Sequence, residues 1–421
     1  MRRVPLVLLW SVAGCFLRPA QPITDAFPRC AARLPKKSAG TGDMSAKWVK
    51  GTNAHCNDGS PPVMYLRESS NPAHRDDWVV FLEGGGSCAS NATCQDRWCG
   101  VGHFNANKMS SKFSPDREDG GGMMSSSSDN PFHDWNVVEM KYCSSDIWLG
   151  NGKSQQTLSG LRGSFMLYFQ GHAIIEALLD ELDGGTTSDD GRVNMPRLTN
   201  AKNIVLAGAS AGGRGTLQHV DWLTNRYSNA RVVGVMDGWN SPELSAWSDA
   251  DRSVARSAEQ TQWEQTYQGT WQAWTDKDCK GAACVNAFEV MNTAVSAPLL
   301  VRHDMYDPGT SDTYTNQNIP LNRFAQAMAK TARSESKLRP DISIVETACG
   351  THIVAQGDTF TKVAVQDADK GGQYWTMAEA AAAFVDGQKV VAIDDPSRDH
   401  SKCAGAGAGQ QDADKPAGRR R

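Results

Sequence analysis

One stretch constrains the fold more than any other. The run Asn203-Ile204-Val205-Leu206-Ala207 leads into Gly208-Ala209-Ser210-Ala211-Gly212, and a helical stretch, RGTLQHVDWL, leads out. This is the only G-x-S-x-G in the chain. A β-branched run entering a glycine-framed turn and leaving as a helix is the strand–turn–helix setting of a nucleophile elbow. Such a turn strains the serine backbone, and side chains at Gly208 or Gly212 would collide with neighbouring elements. The expected result is a Ser210 Oγ held above a sheet at a helix N-terminus.

The rest of the chain agrees with a sheet of that kind. Trp78–Leu82 (WVVFL), Asn136–Met140 (NVVEM), Arg231–Met236 (RVVGVM), Pro298–Val301 and Ile342–Val345 read as strands. Phe165–Leu182 (FMLYFQGHAIIEALLDEL) has apolar residues at helical spacing and stops at Gly184-Gly185, which predicts a helix over that span. Strands alternating with helices imply an α/β fold, a mainly parallel sheet with helices on both faces. The polar Gly/Ser segment Ser110–Asn130 is expected to be a mobile loop near one end of the sheet. The Trp- and Gln-rich segment Asp249–Cys284 is expected to be an insertion able to cap a pocket. One enlarged domain over residues 21–403 accommodates all of this, followed by a low-complexity, disordered tail over 404–421.

A serine nucleophile needs a base, and the base needs an orienting carboxylate. Beyond Ser210 lie His219, His303, His352 and His400. His219 belongs to the helix leaving the elbow and would project away, and His400 borders the tail. His303 lies in or at the end of a strand. His352 sits in the loop Cys349-Gly350-Thr351-His352 just after the strand ISIVE, where a base belongs. For the acid, Asp304 and Asp307 both reach the C-terminal rim of the sheet. Asp307, at the turn into Pro308-Gly309, is favoured, and Asp237 is the runner-up. Acyl transfer also needs donors for an oxyanion. The loop Leu82-Glu83-Gly84-Gly85-Gly86-Ser87-Cys88 follows an early strand and supplies them from Gly85 and Gly86, with the Ala211 N–H as a third. No Walker lysine or GxGxxG accompanies these glycines, so a phosphate loop is disfavoured.

Composition settles the setting. The chain has 421 residues, with 43 Lys+Arg against 47 Asp+Glu and a net charge of −4. The basic excess of a nucleic-acid binder is missing. Arg2-Arg3, then the apolar run Val4–Leu17 and Ala20, read as a secretory leader over residues 1–20, too short for a membrane span. Removing it leaves ten of the eleven cysteines, an even number suited to disulfides in a secreted protein. Paired CxxC knuckles with following histidines are missing, which argues against zinc. Cys279 and Cys284 (CKGAAC) make the simplest local pair. Asn91-Ala92-Thr93 is the single acceptor sequon, so Asn91 is the candidate glycosylation site.

These motifs together resemble the pectin acetylesterase/Notum family of secreted serine esterases. The resemblance runs from about Cys56 to Cys349. It is carried by CNDGSPPVMYLRES (56–69), WVVFLEGGGSC (78–88), YCSSDIWLG (142–150), LAGASAGGRGTLQHVD (206–221), MYD (305–307) and CGTH (349–352). It implies an α/β-hydrolase-like fold, a Ser210–Asp307–His352 triad, oxyanion donors at Gly85, Gly86 and Ala211, paired cysteines, and no metal or organic cofactor. The hallmark CSSDIW motif contains Asp146, expected to position the oxyanion loop, border the pocket or act structurally, and left out of the catalytic set. The Notum branch, whose substrate is an acylated protein, has a large aromatic pair after its EGG. Here Gly86 and Ser87 stand there, as in the polysaccharide acetylesterases, although the tryptophan usual after the third glycine is missing too. Short-acyl esters on carbohydrate, pectin-like above all, are the expected substrates. A fatty acyl group on a secreted protein is the alternative, and a silent binding protein on the same scaffold is the reading from another class. Thirteen tryptophans suit either sugar stacking or an acyl cavity.

Overall fold

A computed structural model describes residues 20–31, 37–102, 105–160, 163–362, 364–366 and 374–397. The leader expected over residues 1–20 (apart from Ala20), His400, Cys403 and the tail over 404–421 lie outside the described residues. Ten strands form the main sheet: β1 Met44–Trp48, β2 Val63–Arg67, β3 Asp77–Leu82, β4 Arg117–Glu118, β5 Asn136–Met140, β6 Asn203–Ala209, β7 Arg231–Asp237, β8 Leu299–Asp304, β9 Ile342–Thr347 and β10 Val391–Ile393. The longer helices are α1 Asn91–Trp98, α2 Gly171–Asp183, α3 Ala211–Arg226, α4 Asp249–Gln262, α5 Ala287–Thr293, α6 Pro308–Thr315, α7 Leu321–Leu338 and α8 Met377–Val385.

The strand order is β10-β9-β8-β7-β6-β3-β5-β2-β1-β4. From β10 to β5 every neighbour is parallel. Strands β2, β1 and β4 extend the sheet antiparallel. The interior strands are apolar on both faces because both are covered. In β3, Trp78, Val80 and Leu82 enter one core, while Val79 and Phe81 enter the other. Strand β6 lies between β3 and β7, with Ala207 level with Phe81 and Val235. Their C-terminal ends therefore open on one rim, where α/β sheets place their ligands.

Two expectations are corrected. The single helix over Phe165–Leu182 is instead a strand, Gly163–Leu167, followed by α2. The strand pairs antiparallel with Gln156–Gly160, so Phe165 and Leu167 are buried while Ser164 and Met166 are half-buried. That period of two belongs to a strand, and in so short an apolar run it passes for one face of a helix. The segment Ser110–Asn130 is not a free loop. Met123 and Met124 are buried in the second core, Arg117–Glu118 closes the sheet edge as β4, and Asn130 Nδ2 donates to the Met123 carbonyl at 2.9 Å and the Ser125 carbonyl at 2.7 Å.

Candidate active site

At the end of β6 the chain turns sharply into α3. Ser210 has φ 54° and ψ −119°, a conformation that costs a non-glycine residue roughly 1–3 kcal/mol. Its N–H donates to the Asp237 carbonyl at 2.8 Å, and its carbonyl accepts the Arg214 N–H at 3.1 Å. A Cβ at Gly208 would overlap the Gly212 carbonyl, and one at Gly212 would overlap the Leu82 carbonyl. The helix can approach β3 this closely only because those side chains are missing.

Three loops bring the predicted side chains together. Ser210 Oγ lies 2.8 Å from His352 Nε2. His352 Nδ1 lies 2.8 and 2.9 Å from the two Asp307 carboxylate oxygens. With Nδ1–H donated to the carboxylate, Nε2 is left to accept from the serine hydroxyl. Asp307 is fully buried, and the His352 side chain is 32% exposed, so the chain of groups runs from the interior to the surface. Burial opposes ionisation of Asp307, but the charges of His352 and His303 hold it well below the ordinary carboxylate range. Burial likewise opposes protonation of His352, yet Asp307 and Asp237 outweigh it and raise that imidazole above its ordinary value. Asp307 also caps α6, accepting the Gly309 N–H at 2.7 Å. A Cβ at Gly309 would overlap the His352 ring.

The side chains of the other candidates are engaged elsewhere. Asp237 Oδ1 and Asp304 Oδ1 both bind the buried guanidinium of Arg302, at 3.1 and 2.6 Å. Asp304 Oδ2 accepts the Thr351 N–H at 2.6 Å, and Asp237 Oδ2 accepts the Val354 and Ala355 N–H groups at 2.7 Å. Arg302 donates to the Thr351 and His352 carbonyls at 3.2 and 3.3 Å. These two aspartates therefore clamp the loop that carries His352. His219 points away, its Nε2 3.0 Å from His172 Nδ1 in a stack with Trp274. His303 stands behind Asp307, at 3.5 Å.

The glycine loop after β3 faces the elbow, for a Cβ at Gly84 would meet the Ala209 carbonyl and Ser210 Cβ. No hydrogen bond among the described residues engages the N–H groups of Gly85, Gly86 or Ala211. Sequence reasoning missed the residues that hold this loop. Arg97, on α1, donates to the Gly85 carbonyl at 2.6 Å and lies over the Tyr142 ring. Glu83 accepts from Lys108, from Lys141 at 2.6 Å and from the Tyr142 N–H at 2.9 Å. Burial would raise Glu83, but the two lysines outweigh it and bring it down to about 2. Charged residues on separate elements give no local pattern by which a sequence reveals such pairs.

The CSSDIW loop supports the same region. Ser145, Ile147 and Trp148 all have positive φ, and Trp148 Nε1 donates to the Glu83 carbonyl at 3.0 Å. Asp146 pairs across to Ser87 through a backbone bridge. Its carboxylate accepts from Ser144 Oγ at 2.6 Å and from the Gly171 N–H at the start of α2 at 2.9 Å. Burial raises Asp146 to about 7. It braces the loop, and among the described residues none of its hydrogen bonds is to a triad residue. Disulfides join Cys88 to Cys94, Cys56 to Cys143, Cys30 to Cys99 and Cys279 to Cys284, the last as the local spacing suggested. Cys349 is disulfide-bonded as well. Asn91 is half-buried, its Nδ2 donating to the Leu158 and Gly163 carbonyls at 2.9 and 3.0 Å, which occupies the atom a glycan would use.

The Trp-rich segment folds as α4, a π-helical turn over Trp263–Thr270 and a disulfide-closed loop. It leans on the chain just past the glycines: Trp271 Nε1 donates to the Cys88 carbonyl at 2.9 Å and Thr270 Oγ1 to the Ala89 carbonyl at 2.8 Å. Arg214, one turn after Ser210, is fully buried and donates to the Cys284 carbonyl, and its charge bears on the hydroxyls of Tyr267 and Tyr314. A separate polar groove of about 910 Å³, lined by His55, Tyr168, Gln170 and Glu176 among others, contains none of the triad residues. Among the described residues no helix is long and apolar enough to cross a membrane.

A mostly parallel sheet with helices on both faces, and a serine on a strained strand-to-helix turn within reach of a histidine and an aspartate, define an α/β-hydrolase-like protein. A family model described as Pectinacetylesterase matches residues 39–403, and the chain belongs to that family. Among curated proteins it is similar to the palmitoleoyl-protein carboxylesterase notum1a of Danio rerio, 34% identical over 206 residues, covering 47% of this chain and 36% of the relative. The NOTUM enzyme of Schmidtea mediterranea is 35% identical over 182 residues, covering 43% and 30%. That of Homo sapiens is 34% identical over 207 residues, covering 47% and 36%. The chain thus spans about a third of the length of these relatives.

Proposed function

We propose that this protein is a secreted serine carboxylesterase that removes O-acetyl groups from pectin-like polysaccharide. The observation that carries the reading is the continuous contact from Ser210 Oγ through His352 to the buried Asp307. His352 Nε2 takes the Ser210 proton as Oγ attacks the acyl carbonyl. The tetrahedral oxyanion is received by the N–H groups of Gly85, Gly86 and Ala211. His352 passes the proton to the departing alcohol. It then activates water, which hydrolyses the acyl-enzyme and restores the serine. Asp307 fixes the imidazole and stabilises its charged form, and no step requires a metal or cofactor. A silent binding protein would have no use for a strained, paired Ser210.

One observation favours a short acyl group: the two positions after Gly85 hold Gly86 and Ser87, so neither adds an aromatic side chain beside the donors. The tryptophans Trp78, Trp98, Trp148 and Trp271 are fully buried and contribute to the core. The second reading, removal of a fatty acyl group from a secreted protein, is favoured by the names of the curated relatives. Hydrolysis of p-nitrophenyl esters from acetate to palmitate separates the two. Acetate is expected to be turned over best, and a preference for chains well beyond butyrate would select the second reading. Secretion rests on the leader over residues 1–20 and the disulfides; the mature protein is expected to begin near Gln21, as N-terminal sequencing would read.

A further inference from the structure

His303 is a buried imidazole that the mechanism above leaves unused. It lies on β8, four residues before Asp307, and is fully buried. Its Nδ1 is 3.2 Å from Glu346 Oε1 on β9. Its Nε2 is 2.6 Å from Thr310 Oγ1 and 3.5 Å from Asp307 Oδ2. Thr310 Oγ1 in turn is 3.3 Å from Asp307 Oδ2. The ring thus lies between two carboxylates, Glu346 on the Nδ1 side and Asp307 on the Nε2 side, with the Thr310 hydroxyl beside Nε2 and Asp307. A neutral imidazole has one N–H, so with Nδ1–H given to Glu346 its Nε2 accepts from the Thr310 hydroxyl and a lone pair is turned toward Asp307; the imidazolium places an N–H on both sides and frees the Thr310 hydroxyl to donate to Asp307.

We infer that His303 is a positioning residue for the proposed esterase, a second imidazolium that holds Asp307 ionised and sets the basicity of His352 through it. The row of groups is then Ser210, His352, Asp307, His303 and Glu346, with positive and negative members alternating inward from the serine. The inference rests on the triad reading and extends it inward. Other charged groups act on His303 from the surrounding elements, Asp304 on its own strand, Glu335 on α7 and His352, while Arg302, next to it in sequence, acts on Asp307. Arg302 is already matched by Asp304 and Asp237, and Glu335 is raised to about 8, chiefly by burial. That leaves His303 as the cation beside Asp307 on the side away from the serine. Burial works against its charge, but Glu346 and Asp307 outweigh it and raise His303 to about 10.

The sign of the effect follows. A cation behind Asp307 weakens the carboxylate's hold on the His352 proton, so the base is free at lower pH. His303→Gln keeps a donor toward Asp307 and removes the charge. The kcat/KM profile for p-nitrophenyl acetate is then expected to keep its shape while its acidic limb moves up by about one pH unit. A side chain that only packs would lower activity equally at all pH values. An unmoved limb in a variant that still reacts with a fluorophosphonate would overturn the inference. If wild-type protein itself failed to react with the fluorophosphonate, the triad reading would fail instead. Should His303→Gln not fold, the wild type carries the test. In ¹⁵N-histidine spectra recorded on the activity plateau, where His352 is neutral, one imidazolium resonance is expected to persist. Its absence there would contradict the inference.

Discussion

His352 is part-exposed, Ser210 is almost fully buried and Asp307 is fully buried, and this gradient decides what each substitution does. Asp307→Asn keeps the shape but favours the wrong imidazole tautomer, and is expected to lower kcat by about 10³–10⁴-fold. Asp304→Asn leaves the His352–Asp307 contact in place and is expected to cost far less; a larger loss at Asp304 in steady-state hydrolysis would reverse the roles. The base must be neutral, and its pKa is raised above the ordinary imidazole value by Asp307 and Asp237 against the effect of burial. Activity is therefore expected to rise with pH through an apparent pKa above 6.5, as a pH–kcat/KM profile would show. Much of this was legible in the chain. Ser210 is marked by its glycines and His352 by its place after a strand. The residues alone only lean to Asp307 over Asp304, because both fall near the rim, Asp304 at the end of β8 and Asp307 at the start of α6. The contacts separate them: Asp307 reaches His352, while Asp304 turns to Arg302 and Thr351.

The loops at the rim have their own supports. The His352 loop is clamped by Arg302 between Asp237 and Asp304, all three fully buried or nearly so. Arg302→Ala would leave two buried carboxylates without their cation, and is expected to cost about 3–5 kcal/mol in urea unfolding. Gly309→Ala tests the fit between α6 and the histidine. The new methyl group displaces the His352 ring, and kcat/KM is expected to fall about 100-fold with little change in far-UV circular dichroism. Elements with strong local patterns were legible, namely β3, β5, β6, β7, β8 and β9. The hairpin strand at Gly163–Leu167 was not, since a short apolar run satisfies both periods and its pairing with Gln156–Gly160 is made outside the window. Nor was the packed state of residues 110–130, where buried Met123 and Met124 anchor a segment whose composition is otherwise that of a loop.

For the molecule as a whole, the buried charges set a window of pH stability. Glu83 is brought down to about 2 from 4.5, so the stability it contributes is present above 4.5 and is lost as pH falls toward 2. His303 is raised to about 10 from 6.5, so its contribution is complete below 6.5 and is lost as pH rises toward 10. Thermal unfolding is expected to show Tm falling on both flanks, with the alkaline fall diminished in His303→Gln. The fold class and the order of the functional segments were legible, because a nucleophile elbow requires a parallel sheet around it. The disulfide pattern was legible only at Cys279–Cys284, since the remaining pairs depend on which rims the fold brings together. The central claim is that Ser210 is an acyl-accepting nucleophile. Its most direct measurement is p-nitrophenyl acetate hydrolysis by the wild type and by Ser210→Ala. The account predicts a measurable wild-type rate and a loss of at least about 10³-fold in the variant; activity near the wild-type level in Ser210→Ala would contradict it.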